Sequence, residues 1–151
     1  MAKDGKKLVE IYTDGACSNN PGPGGWGAVL LHGPHVREFS GFEPHTTNQR
    51  MELTAAVKGL QQLKEPCNVK LYSDSAYLIN GFTLGWIDNW QKNGWRNSRG
   101  APVSNADLWR ALVELSQKHS IQWIKVKGHS DNKWNNHCDE LARAAIRKGM
   151  N

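Results

Sequence analysis

Disulfide chemistry, membrane-spanning runs and internal repeats are all missing from this sequence. Its three cysteines, Cys17, Cys67 and Cys138, are odd in number, far apart and without a C-x-x-C partner. That excludes a disulfide framework and a structural zinc site, and makes a reducing, cytoplasmic setting the expectation. No apolar run approaches the ~18 residues of a spanning helix, mean hydropathy is −0.64, and the stretch from Met1 to Lys7 is polar and basic. Neither a membrane protein nor a secreted precursor is expected. With no low-complexity tract or linker, the 151 residues read as one domain, 1–151, large enough to bury a real core. Acids are the minority charge: 14 Asp+Glu against 19 Lys+Arg give a net charge of +5 and a pI near 9.2. Such a balance suits a polyanionic partner such as nucleic acid.

Leu8 to Thr13, Trp26 to His32 and Val36 to Phe42 read as strands of an antiparallel meander, separated by Gly/Pro turns. Thr47-Asn48 offers a helix N-cap, and Leu53, Ala56, Val57, Leu60 and Leu63 recur at helical spacing until Pro66. Val69 to Ser73 is a fourth strand, followed by Asp74 as N-cap of a small helix closed by Gly81. From Gly85 to Pro102, Trp86, Trp90 and Trp95 alternate with Lys92, Arg96 and Arg99, so the segment is basic and aromatic together. The spacing of Trp86 and Trp90 puts them on one helical face, which predicts packing for some of the tryptophans and binding for the three cations. Ser104-x-x-Asp107 reads as a capping box before Leu108, Leu112 and Leu115. Ile121 to Val126 is a fifth strand, and Cys138, Leu141, Ala142, Ala145 and Ile146 mark a last amphipathic helix.

A right-handed crossover through the first helix makes the first and fourth strands parallel neighbours. Both end in an aspartate, and sites gather at the carboxyl ends of parallel strands, so Asp14 and Asp74 should face each other across roughly 5 Å. Glu52 is expected in the first turn of the crossover helix, whose small Ala55, Ala56 and Gly59 let it lie close to the sheet. Asp139 is expected to begin the last helix, where the dipole favours an acid. Each acid also has a local explanation: a turn at Asp14-Gly15, a cap at Asp74, a first-turn acid at Glu52, a partner for Arg143 at Asp139. Convergence of four acids on one end of one sheet favours a site over four coincidences. Carboxylates that close repel, and one takes up a proton unless a cation lies between them. An all-oxygen set selects Mg²⁺ or Mn²⁺ over zinc and suits two-metal phosphodiester cleavage. His129, in a Gly-flanked loop just after a strand, is either a surface histidine or a proton-transfer group working near neutral pH.

Five motifs in register complete the pattern: Tyr12-Thr-Asp14-Gly15 with Asn20-Pro-Gly-Pro-Gly-Gly25, Thr47-Asn48-Gln49-Arg50-Met51-Glu52-Leu53, Ser73-Asp74-Ser75, Val126-Lys-Gly-His129, and Cys138-Asp139-Glu-Leu-Ala142. In order and spacing the chain resembles ribonuclease HI, the bacterial type 1 ribonuclease H family, from about Leu8 to Lys148. The resemblance implies an α/β fold of ribonuclease H type, a five-stranded mixed sheet with helices on both faces. It implies a monomer that cuts the RNA strand of RNA/DNA hybrids, leaving 5′-phosphate and 3′-hydroxyl ends, with two Mg²⁺ ions, or Mn²⁺ as substitute, on Asp14, Glu52, Asp74 and Asp139. It points to His129 as a catalytic histidine. It assigns RNA 2′-hydroxyl contacts to Gly15, Cys17, Asn20, Asn48 and Gln49, and a DNA-phosphate pocket to Thr47 and Asn105. The segment at about 85–102 corresponds to the family's basic protrusion, with Trp86, Lys92, Arg96 and Arg99 as contacts. The stretch between His129 and Asp139 departs from many members in lacking Pro or further Gly and in carrying Trp134. The alternative is a hybrid-binding module of the same fold without cleavage, which would gain nothing from four carboxylates aimed at phosphates.

Overall fold

In the computed structural model, which describes residues 5–128 and 131–151, β1 (Lys7–Cys17), β2 (Gly22–His32) and β3 (His35–Thr46) form the antiparallel meander. Helix α1 (Asn48–Gln61) then returns the chain so that β4 (Cys67–Ser73) pairs parallel with β1. There follow α2 (Ala76–Thr83), α3 (Trp86–Lys92), α4 (Ala106–Lys118), β5 (Ser120–Lys125), which is parallel to β4, and α5 (Lys133–Gly149). The sheet order is β3-β2-β1-β4-β5, the mixed five-stranded arrangement that the sequence predicts.

Small residues set how closely the helices approach. A Cβ at Gly59 of α1 would lie 3.2 Å from Ile11 and 3.4 Å from Ala28, while one at Gly27 of β2 would lie 2.6 Å from the Cys138 carbonyl of α5. Adjacent strand residues point to opposite faces, so Ala28 meeting α1 and Gly27 meeting α5 place these helices on the two sides of the sheet. Ile11, Leu53, Leu60, Leu71, Leu78, Trp109 and Leu112 are fully buried between the sheet and α1, α2 and α4.

Several local expectations are corrected. Strand β1 does not stop at Asp14 but stays paired with β2 to Cys17, and β4 starts directly after Pro66 at Cys67. Asp74 does not cap α2; the Ser75 hydroxyl does, accepting the Leu78 N–H at 3.1 Å. Gly81 does not end that helix, because its bare α-carbon is packed beneath the Trp109 ring and the helix runs on to Thr83. The Ser104/Asp107 capping box does not form: α4 starts after Asn105, in the left-handed region at φ 60°, and the Asp107 carboxylate is taken by Arg50 at 2.6 Å. Glu52 lies past the first turn of α1. Asp139 does not begin α5, whose N-terminus is capped seven residues earlier by Asn132 accepting the Asn135 N–H at 3.0 Å.

Candidate active site

The parallel rungs between β1 and β4 end at Tyr12 and Tyr72, whose rings stack with centroids 4.4 Å apart. Two residues further along each chain stand Asp14 and Asp74, and α1 lowers Glu52 onto them. One carboxylate oxygen from each of the three lies within 4.8 Å of the other two. The close approach depends on Gly15, whose backbone N–H donates to Asp14 Oδ1 at 3.0 Å and Glu52 Oε1 at 3.2 Å. A Cβ there would fall 2.5 Å from the Glu52 nitrogen.

Asp14 and Glu52 are only 5% and 8% exposed. Burial above all, then repulsion from Glu52 and Asp74, pushes the Asp14 carboxyl far above its ordinary range. Burial and the charge of Asp74 likewise raise Glu52, against a partial lowering by the Gly15 N–H. Glu52 Oε2 is buried with no hydrogen-bond partner among the described residues. An orphaned buried acceptor beside two carboxylates is costly unless a cation completes it, so the donor set fits hard divalent ions.

These groups line one wall of a cleft of about 300 Å³ whose opposite wall is α5, with Asn135, Asp139 and Arg143. Asp139 stands outside the tight group of three and is paired with Arg143 at 3.2 Å, so its local role as an i,i+4 partner and its place in the cleft coexist. Sequence reasoning missed Asn135. It is buried, donates to Asp74 Oδ2 at 3.3 Å, and leaves its own Oδ1 without a partner among the described residues. The available signal was its spacing, one turn before Asp139 on the same helical face.

Gly15, Cys17 and Asn48 also line the cleft. Asn20 Oδ1 accepts the Asn48 N–H at 3.1 Å, and Gln49 is exposed beside it. Thr47 caps α1 through the Arg50 N–H at 3.2 Å, and the Arg50 guanidinium donates to Asn105 at 3.3 Å, so Arg50 joins the two residues expected to share a phosphate pocket. His129 lies outside the described residues; the preceding Gly128 runs against Asp74, where a Cβ would stand 3.0 Å from Oδ2. In the protrusion, Lys92, Arg96 and Arg99 are exposed. Trp86, Trp90 and Trp95 are half-buried in an aromatic chain that continues to Tyr77 and Trp109, so Trp86 has a packing role whatever else it does.

The family model for RNase H matches residues 6–147. The chain belongs to the ribonuclease H family. It is 64% identical over 141 residues to the ribonuclease H of Symbiobacterium thermophilum, covering 93% of this chain and 96% of that protein. Among solved structures it is similar to LC9-RNase H1, a type 1 RNase H with the type 2 active-site motif, with a TM-score of 0.84 and 29% identity over 95% of this chain and 74% of that one. It shares its fold with LC11-RNase H1, solved in complex with an RNA/DNA hybrid, at a TM-score of 0.74 and 20% identity, covering 95% of this chain and 99% of that one. As a member of this family the chain is an enzyme, a hydrolytic nuclease.

Proposed function

We propose that this ribonuclease H cuts the RNA strand of RNA/DNA hybrids by a two-metal-ion mechanism, leaving 5′-phosphate and 3′-hydroxyl ends. The observation that carries the reading is the buried group of Asp14, Glu52 and Asp74, with Glu52 Oε2 lacking any partner among the described residues. With Asp139 across the cleft, these are the residues to hold the ions, and their all-oxygen chemistry favours Mg²⁺, with Mn²⁺ as substitute. Divalent ions there supply water activation and stabilisation of the leaving oxygen.

The chain's own groups do the rest. Gly15 fixes Glu52, Asn135 orients Asp74, and Arg143 holds Asp139 at the cleft wall. His129 transfers a proton to or from the water or the leaving oxygen. Gly15, Cys17, Asn20, Asn48 and Gln49 face the RNA strand, whose 2′-hydroxyl separates it from DNA. Thr47 and Asn105 hold a DNA phosphate, and Lys92, Arg96 and Arg99 neutralise further phosphates, with Trp86 at the base of that surface. The complex of LC11-RNase H1 with an RNA/DNA hybrid supports this substrate class. A monomer suffices, since one chain carries all four acids. A binding module without cleavage is disfavoured because the buried carboxylates would repel phosphate. Incubation of labelled RNA/DNA hybrid, RNA duplex and DNA duplex with Mg²⁺ tests the reading: only the hybrid's RNA strand should be cut, and a 3′-phosphate product or cleavage without divalent ion would overturn it.

A further inference from the structure

Helix α5 brings Asn135 and Asp139 to the cleft, yet its first turn has little apolar surface to hold it in place. Cys138 is the first apolar residue of the helix to be buried, its thiol donating to the Tyr12 carbonyl at 3.2 Å. Ahead of it the helix start is placed by polar contacts. His137 meets Glu38 of β3, but both side chains are partly exposed. Asn132 does two things with one side chain: Oδ1 accepts the Asn135 N–H at 3.0 Å, and the side chain is also hydrogen-bonded to the Tyr12 hydroxyl. Asn135 in turn donates to Asp74 Oδ2 at 3.3 Å. The phenol is itself held. Its ring stacks on Tyr72 with 10° between the planes, and the Tyr72 hydroxyl donates to Glu10 Oε2 at 2.8 Å.

We propose that Tyr12 is a positioning residue for the reaction: its hydroxyl fixes the Asn132 side chain and thereby sets the Asn135 amide against Asp74. The proposal rests on the reading of Asp74 as a carboxylate that holds a divalent ion. A helix cap needs only a short side-chain oxygen, which Asn132 supplies without any outside partner. The tie to Tyr12 adds a fixed point on the sheet. Tyr12 and Tyr72 form the last parallel rung, and each lies two residues before an acid of the site, Asp14 and Asp74. The contacts therefore close a circuit from β1 through the start of α5 to β4. Asn135 Oδ1 has no partner among the described residues, so the single contact to Asp74 does not by itself fix how that amide is turned. Without the phenol hydroxyl, Asn132 keeps its cap but can rotate, and the error passes to Asn135 and on to Asp74.

Tyr12→Phe tests this, because it removes the hydroxyl and leaves both the ring stack and the carbonyl that receives Cys138. Two readouts are taken on the full chain: amide hydrogen exchange at Asn135 in chelator, and steady-state cleavage of a labelled RNA/DNA hybrid with Mg²⁺. One neutral hydrogen bond is worth about two- to tenfold in an equilibrium. Exchange at Asn135 should rise by that factor in the metal-free variant while Leu141 to Ile146 stay as in the parent. The kcat should fall by a similar factor, with KM for the hybrid unchanged within about twofold. Asn132→Ser keeps a capping oxygen but is too short to reach the phenol, so it should lose as much as Tyr12→Phe, and the double variant should lose no more than either. Tyr72→Phe, which deletes a hydroxyl aimed at Glu10, should match the parent. Unchanged exchange at Asn135 in Tyr12→Phe, additive losses in the double variant, or a raised KM with kcat intact would each overturn the proposal. Faster exchange along the whole of α5 would overturn it too, by making the hydroxyl merely structural. Parental cleavage by Asp74→Asn would instead sink the two-metal reading, and this proposal with it, whatever the exchange shows.

Discussion

The Gly15 backbone N–H donates to Glu52 Oε1 at 3.2 Å, tying β1 to α1 at the point where the three carboxylates meet. No side chain fits there, because a Cβ would lie 2.5 Å from the Glu52 nitrogen, against backbone that cannot swing aside. Gly15→Ala should therefore push α1 off the strand. Overpacking of this kind costs about 1–3 kcal/mol, and the displaced Glu52 should take turnover down by far more than the loss of fold. Thermal denaturation together with Mg²⁺-dependent turnover checks this: a variant with parental activity would show that α1 is not held at this contact.

Asp14→Asn should abolish cleavage, since a neutral amide cannot replace a buried carboxylate toward a divalent ion, while hybrid binding survives because repulsion toward phosphate falls. The same change should stabilise the metal-free protein. Asp14 and Glu52 have folded-state carboxyls raised above their unfolded values, Asp14 by burial and by the charges of Glu52 and Asp74, Glu52 by burial and by the charge of Asp74. The fold then binds more protons than the unfolded chain, so stability is fully present below about pH 4, the ordinary carboxylate range, and is lost as pH rises through the elevated folded values. In Asp14→Asn that slope should flatten, and in the parent Mg²⁺ should restore what the rise in pH removes. Melting temperature against pH, with and without Mg²⁺, reads both effects. A parent more stable in chelator at pH 8 than at pH 5 contradicts the account.

The ends of two parallel strands were legible because strand register propagates: once β1 and β4 pair through Tyr12 and Tyr72, Asp14 and Asp74 have to come level. The small face of α1 around Gly59 was legible for the same reason, since it has to lie on Ile11 and Ala28. The start of α5 was not. Its first turns, from Lys133 to His137, carry no apolar period, and the cap is the short side chain of Asn132 in a run of polar residues. Asn135 escaped with them, although it reaches Asp74. The capping box at Ser104 failed because a long-range partner, Arg50 on α1, takes Asp107 in a two-pronged ion pair that no local pattern announces.

The protrusion separates packing from binding along its length. Trp90 packs at 5.3 Å against Trp109, itself fully buried, so the tryptophans anchor α3 to α4. Lys92, Arg96 and Arg99 stay exposed. Replacing the three cations with alanine should leave the melting temperature nearly unchanged, weaken hybrid affinity and flatten its dependence on salt, because fewer counterions are released from the duplex. The slope of log affinity against log salt for parent and variant decides it, and identical slopes would remove these residues from the interface.

His129 follows Gly128, which is packed so tightly on Asp74 that a Cβ would stand 3.0 Å from Oδ2. Gly128, the residue before it in sequence, thus stands against a carboxylate of the cleft. A hard-cation site built from carboxylates has little need of an imidazole ligand. An imidazole with an ordinary pKa of about 6.5 is instead suited to carry a proton near neutral pH, where general acid–base help is worth about 10²–10⁴-fold. His129→Ala should slow turnover within or just below that range, leave hybrid binding nearly intact and change the neutral limb of the pH–rate profile. Loss of Asp14, by contrast, should be close to complete at every pH. Turnover measured against pH for parent and variant distinguishes the roles. Superimposable profiles would take His129 out of the mechanism. Complete inactivity at every Mg²⁺ concentration would make it a ligand or a prop, whereas a partial loss confined to the neutral limb identifies a proton carrier.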